Sequence, residues 1–184
     1  AINALEGSAD TILVPSGLAA VTVPLLSFLS AGDHLLIVDS VYHPTRRFAE
    51  TMLKRLGIEV HYYPPDVGAG ITKWMKPNTR IVFTESPGSN TMEDIPAITK
   101  AAHEQGAMVI MDNTWATPLF FKPLDHGVDI SIHAATKYPS GHSDVLMGTV
   151  SANAQYAEQL RESFITLGTC VGPDDAYQIL RGLR

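Results

Sequence analysis

The chain is poor in cysteine. Cys170 stands alone among 184 residues, which excludes an internal disulfide framework and fits a reducing compartment. It is also poor in clustered positive charge. The net charge is −6 and no Lys/Arg run exceeds the pair Arg46-Arg47, so a basic nucleic-acid-binding face is not expected. No apolar run approaches the roughly 20 residues that a bilayer-spanning helix needs, and no charged-then-apolar leader opens the chain. Internal repeats and low-complexity linkers are missing as well. These absences point to a cytoplasmic globular protein with no membrane or nucleic-acid partner, long enough for about one domain.

What is present is an alternation of short apolar runs with amphipathic stretches. Strands are expected at Thr11–Val14, Leu35–Val38, Ile58–Tyr62, Arg80–Thr84, Ala107–Met111, Val128–Ile132 and about Val145–Val150. Helices are expected from Ser16-Gly17 to Leu29, Pro44 to Leu56, Ile95 to Glu104, Ala154 to Thr166 and Pro173 to Leu183, with a short one at Ile71–Met75. Phe48, Met52, Leu53 and Leu56 would share the buried face of the second. Gly57 and Gly106 sit where helices stop. Strand and helix alternating at this spacing imply parallel βαβ units, an α/β fold with a mostly parallel sheet flanked by helices. Ala1–Gly7 reads as the tail of a helix, and Arg181–Arg184 carries no capping signal. We therefore expect residues 1–184 to be one domain cut at both ends from a longer chain.

In open α/β sheets, ligands bind beyond the C-terminal ends of the strands, and four candidate groups fall there. Ser16-Gly17-Leu18-Ala19 opens a helix directly after the first strand. Its free N–H groups and positive dipole end suit a phosphate, although a serine-capped turn explains the same residues. Tyr42 follows the second strand, where it would either lie over a flat heteroaromatic ring or pack a loop. Asp112 ends the apolar run Ala107–Met111, and a carboxylate so placed needs a partner. A protonated ring nitrogen would serve, as would a helix cap or an arginine. Lys137 follows Val128–Ile132 in Ala134-Ala135-Thr136-Lys137-Tyr138. A lysine and an aspartate at neighbouring strand ends suit pyridoxal 5′-phosphate (PLP): the lysine carries the aldehyde as a Schiff base, and the aspartate keeps the pyridine nitrogen protonated. Such a lysine must attack as the neutral amine, so cationic or apolar surroundings are expected for it. Thr136 beside it offers a hydroxyl to the phosphate. His133 and His142 lack partners at metal-ligand spacing, and no metal is expected. Trp74 and Trp115 are read as core or loop packing, and Cys170 as a bystander.

Taken together, Ser16-Gly17-Leu18-Ala19, Tyr42, Glu85-Ser86-Pro87-Gly88-Ser89, Asp112-Asn113-Thr114-Trp115-Ala116-Thr117-Pro118 and Ala135-Thr136-Lys137-Tyr138 with Gly141-His142-Ser143-Asp144 resemble the Cys/Met-metabolism PLP enzymes of fold type I. The likeness covers essentially all 184 residues. It implies the large cofactor-binding domain of an aspartate-aminotransferase-like enzyme. In that resemblance Lys137 carries the cofactor and acts as acid and base, Asp112 pairs with the pyridine nitrogen, and Tyr42 stacks on the ring and takes part in catalysis. The Gly17 and Leu18 amides and the Thr136 hydroxyl hold the phosphate, and Thr114 supports the ring or its aspartate. Ser89 stands near the substrate carboxylate. The substrate class implied is an amino-acid thioether, and the assembly implied is a homo-oligomer, a tetramer built from tight dimers.

Ala134 stands where many members have a phosphate-binding serine, and Ser89 where γ-lyases and γ-synthases often have asparagine. Both departures lean toward the β-eliminating carbon–sulfur lyases, which would cleave cystathionine to homocysteine, pyruvate and ammonia. Other readings are a γ-lyase, γ-synthase or O-acylhomoserine sulfhydrylase of the same family, an inactive fragment, or a plain α/β binding module. A nucleotide-binding module is disfavoured because neither G-x-G-x-x-G nor a Walker-type lysine follows the first strand.

Overall fold

A computed structural model describes residues 1–89 and 91–184. Asn90, which ends the turn expected after Ser86, lies outside the described residues. One seven-stranded sheet organises the chain. Its strands are β1 (Asp10–Val14), β2 (His34–Val38), β3 (Glu59–Tyr63), β4 (Thr79–Glu85), β5 (Met108–Asp112), β6 (Ile130–His133) and β7 (Gly148–Ala152), in the order β1-β7-β6-β5-β4-β2-β3. The pairs β2·β3, β2·β4, β4·β5 and β5·β6 are parallel, as expected. β7 is the exception in this mostly parallel sheet: it runs antiparallel to both β1 and β6, between which it is inserted. It also begins three residues later than the Val145 expected from the apolar Val145-Leu146-Met147. Those side chains belong to the loop that precedes it.

Because β7 alone is reversed, β1 keeps the sense of the parallel strands. The C-terminal ends of β1, β2, β4, β5 and β6 therefore open on one edge of the sheet. Every residue of β2, β6 and β7 is buried. Consecutive buried residues on a strand mean that both faces are covered. The covering elements include helices α1 (Ile2–Glu6), α2 (Gly17–Phe28), α3 (His43–Phe48), α4 (Ile95–Glu104), α5 (Thr117–Phe120), α6 (Ala157–Thr166) and α7 (Pro173–Gly182).

Local chemistry explains the boundaries. Ser16 caps α2, its Oγ accepting from Ala19 N at 3.0 Å. Asp94 caps α4 in the same way through Ala97 N, and the buried Ile95, Ile98, Ala101 and Ala102 repeat at helical spacing. Gly7 ends α1 in the left-handed region at φ 68°, where glycine has no Cβ penalty.

The helix expected from Pro44 to Leu56 forms, but its middle, Ala49–Leu53, is a π-turn. This wider turn keeps Thr45, Ala49 and Leu53 on the buried face. Met52 and Leu56, expected there, are exposed instead. The expected helix at Ile71–Met75 is a 3₁₀ turn over Gly68–Lys73. α5 and the 3₁₀ turn Pro123–His126 were not foreseen, being short turns initiated by proline.

Candidate active site

At the open edge of the sheet lies a cleft of about 500 Å³. It is lined by Gly17, Leu18, Tyr42, Asp112, Thr114, Thr136 and Lys137, all the residues expected there except Ser89. Ser89 is exposed on the turn that closes on the Gly88–Thr91 bridge and is not part of the cleft lining.

The floor comes from β5 and β6. Asp112 is the last residue of β5, and its Oδ1 accepts from Thr114 N at 2.9 Å. Burial pushes its carboxyl above the ordinary range, against the hydrogen bonds of Thr114 and the charge of Lys137. An acid held this way gains from a cation opposite it. The Thr114 hydroxyl accepts from Ala134 N at 2.9 Å, which ties the β5 loop to the residue that follows β6.

Ala134 also meets the start of α2. A Cβ on Gly17 would stand 2.6 Å from that of Ala134 and 3.1 Å from its Cα. Glycine at 17 is thus a requirement of close approach. Gly148 serves the same purpose at the start of β7, where a Cβ would lie 2.3 Å from the Ser16 carbonyl oxygen. The first amides of α2, at Gly17 and Leu18, have no intrahelical acceptor, and they face the positive end of the helix dipole.

Lys137 follows in a tight turn, its N–H donating to Ala134 O at 3.0 Å. Its Nζ lies 5.7 Å from the centroid of the Tyr42 ring. Here the structure departs from expectation. Lys137 is exposed rather than enclosed by apolar or cationic groups, and its charged neighbours include the carboxyls of Asp112 and Glu85. Thr136 differs too. Its Oγ1 donates to Met147 O at 3.2 Å and accepts from Met147 N at 3.0 Å, so the hydroxyl pins the lysine turn to the residue before β7. One acceptor site remains on that oxygen but no further donor.

Glu85, expected only as the first residue of the Glu85–Ser89 motif, lines the cleft beside Asp112. The sheet register places the two opposite each other, as the last pair of β4 and β5. Glu85 Oε2 accepts from Tyr42 N at 2.8 Å. Burial, then the charge of Asp112, raises its carboxyl to about 7, while the Tyr42 N–H and Lys137 pull the other way. A related signal was present here: Ile81-Val82-Phe83 is apolar and, after Thr84, leads to the carboxylate of Glu85.

Trp115 corrects the packing expectation. It is 66% exposed and lines the cleft mouth. Trp74 is exposed too, at the end of the 3₁₀ turn. His133 is buried behind the lysine, and burial, then Lys137, lowers it to about 4, so it is neutral. His142 Nδ1 lies 2.9 Å from Ser140 O. Among the described residues, no group of three or more His, Cys, Asp or Glu side chains converges as a metal site. No helix among them is long and apolar enough to cross a membrane.

The open edge of this mostly parallel sheet sets a lysine, an aspartate and a glycine-led helix start around one cleft, the arrangement that suits a phosphorylated aldehyde cofactor. The model of the Cys/Met metabolism PLP-dependent enzymes matches residues 1–184, and the chain belongs to that family. Its cofactor is PLP. A putative cystathionine beta-lyase of Rhizobium johnstonii is 70% identical over all of the chain and 47% of its own length. Cystathionine beta-lyase MetC of Escherichia coli is 47% identical over 98% of the chain and 47% of its own length. A relative named L-alanine/L-glutamate racemase, from Wolbachia pipientis, is 44% identical over the whole chain and 46% of its own length. Among solved structures, cystathionine gamma-lyase from Lactobacillus plantarum complexed with L-serine superposes with a TM-score of 0.95 at 32% identity, over 99% of this chain and 48% of that one. The chain spans about half the length of these relatives.

Proposed function

We propose that residues 1–184 are the cofactor-binding domain of a PLP-dependent carbon–sulfur lyase acting on cystathionine. The observation that carries this reading is Lys137 on the lip of a cleft whose floor is Asp112, together with the names of the more similar relatives. The overall reaction is β-elimination, with cystathionine and water yielding homocysteine, pyruvate and ammonia. Its place would be the cytoplasm, its partners other copies of the same polypeptide, and its role methionine biosynthesis.

The residues fit the cofactor. The Gly17 and Leu18 amides would hold the phosphate at the positive end of α2, with Thr136 behind them keeping the lysine turn in place. Asp112, raised by burial, would become the stable anion opposite a protonated ring nitrogen, and Thr114 would hold its Oδ1. The Tyr42 ring would cover the cofactor face. Bound PLP supplies an aldehyde for amine exchange and a ring that accepts electrons. Lys137 would move the protons: its neutral amine takes one from the substrate Cα and returns one to the departing sulfur. Ser89, outside the cleft lining, would stand toward the substrate carboxylate.

A γ-eliminating or γ-replacing enzyme is the second reading, favoured by the fit to a cystathionine gamma-lyase. It requires a further proton abstraction at Cβ, which a lysine free on the cleft lip also serves. Product analysis of the holoenzyme separates the two, pyruvate from cystathionine for the β-lyase and 2-oxobutyrate for the γ-lyase. The cofactor site itself is tested by incubating the protein with PLP, reducing with borohydride and mapping peptides by mass spectrometry. We expect a phosphopyridoxyl adduct on the Lys137 peptide that disappears in Lys137→Ala. An adduct on another lysine, persisting in that variant, refutes the assignment.

A further inference from the structure

The Tyr42 ring lines the cleft without being secured by packing. It is 53% exposed, and it precedes α3 without a side-chain capping bond. Only its main chain is tied. The carbonyl accepts from Arg46 N at 3.2 Å in the first turn of α3, and the N–H donates to Glu85 Oε2 at 2.8 Å. We propose that Glu85 is a positioning residue of this site, its carboxyl holding the Tyr42 main chain so that the phenol ring stays over the cleft at its distance from Lys137. The proposal rests on the reading of the cleft as the PLP site.

Glu85 can do this because it is itself held from behind. Its N–H donates to Glu93 Oε1 at 2.9 Å. The Tyr63 hydroxyl donates to Glu93 Oε2 at 2.7 Å, and Glu93 N donates to Ser86 Oγ at 3.0 Å. Tyr63 and Glu93 are both buried. The chain of bonds therefore starts in the core and ends at the Tyr42 amide, with little slack between. Glu85 is also the register partner of Asp112. One side chain thus indexes the loop after β2 to the strand that carries the cofactor's anion.

The role needs an acceptor, not a charge. Between Asp112 and Glu93 a permanent anion at 85 would be repelled on two sides, and the carboxyl is raised to about 7. An amide of the same shape offers the Tyr42 N–H the same oxygen. Glu85→Gln should therefore bind PLP within about twofold of the wild type, whereas Glu85→Ala and Glu85→Leu, which release the Tyr42 main chain from β4, should weaken binding about tenfold. PLP affinity is read by quenching of tryptophan emission, since Trp115 lines the cleft.

The second readout needs no cofactor. The ¹H–¹⁵N resonance of Tyr42 should titrate with a midpoint near pH 7 in the wild type, and most of that amplitude should be lost in Glu85→Gln. There Glu93, also raised to about 7 by burial, still titrates but does not touch Tyr42 N. Should Glu85→Ala fail to fold, Glu85→Leu and the amide titration carry the test. If Glu85→Gln loses PLP as badly as Glu85→Ala, the charge does the work and the proposal is overturned. It is equally overturned if Glu85→Ala binds PLP like the wild type, or if the Tyr42 amide does not sense the titration. A wild type that takes up no PLP but shows the Tyr42 titration would refute the cofactor reading and leave the Glu85–Tyr42 bond standing.

Discussion

Replacing Gly17 by alanine adds one methyl group at the most crowded point of the cleft. The new Cβ would stand 2.6 Å from Ala134 Cβ and 3.1 Å from Ala134 Cα, well inside the ~3.5–4.0 Å at which carbon atoms pack. Neither side yields easily. Ala134 is tied through its N–H to Thr114, and the start of α2 is pressed against Gly148. Overpacking of this kind costs about 1–3 kcal/mol, against which alanine recovers up to about 1 kcal/mol of helix propensity, less in a first turn. A net loss of about 1–2 kcal/mol follows, or roughly 2–8 °C in Tm for a chain of this size.

Urea unfolding of four proteins tests the reasoning: wild type, Gly17→Ala, Ala134→Gly and the double variant. Removing the Ala134 Cβ takes away the nearest obstacle, so the double variant should recover about 1 kcal/mol relative to additivity. Gly70→Ala is the control. Among the described residues nothing lies within 4 Å of its Cβ position, and its effect should stay within about 0.5 kcal/mol. Because the crowded atoms border the amides offered to the phosphate, PLP affinity should fall with stability in Gly17→Ala and return in the double variant. A Gly17→Ala protein as stable as the wild type, or a double variant that merely adds the two single effects, would refute the close-approach argument.

Two further outcomes follow from buried groups. Glu6 is buried, and burial raises its carboxyl to about 7, with Ser131 and Lys122 opposing. Below pH 4.5 it is protonated folded and unfolded alike. Above that the unfolded chain releases its proton first, so stability falls as pH rises toward 7 and then levels. Glu6→Gln removes this slope, and its advantage over the wild type should grow by about 2–3 kcal/mol between pH 5 and pH 8 in urea titrations. At Gly182 a Cβ would lie 2.2 Å from Ser140 O and 2.4 Å from Pro139 O. Gly182→Ala should lift the end of α7 from the lysine turn, cost about 2 kcal/mol or more, and speed amide exchange across residues 137–144.

The strands were readable because central parallel strands are uninterrupted apolar runs. The same fact located Asp112 and Lys137, polar residues stranded at the ends of such runs. β7 was harder. Gly148-Thr149-Val150-Ser151-Ala152 is made of small residues whose burial comes from the close approach of α2, while the apolar Val145-Leu146-Met147 beside it belongs to a loop. The buried face of the helix after Tyr42 was misjudged because a π-turn changes the period over which residues return to one side. The surroundings of Lys137 and the tie between Thr136 and Met147 involve residues 11 or more positions apart, beyond the reach of local patterning. Glu85 was legible by the rule that found Asp112, but the rule does not say which of two adjacent carboxyls accepts from the main chain of Tyr42.

The insertion of β7 between β1 and β6 sets an order of events for synthesis. Among the described residues β1 has no strand neighbour other than β7, so the helix start at Gly17 and the turn at Lys137 are tied into one sheet only once residues 148–152 have joined it. A nascent chain released up to Lys137 already carries every side chain placed around the cleft except Leu146 and Tyr138, yet it lacks the strand that brings the two halves together. Binding competence should therefore arise abruptly, once residues 148–152 have emerged and paired. Pairing across some 140 residues between β1 and β7 also makes that closing step a slow one.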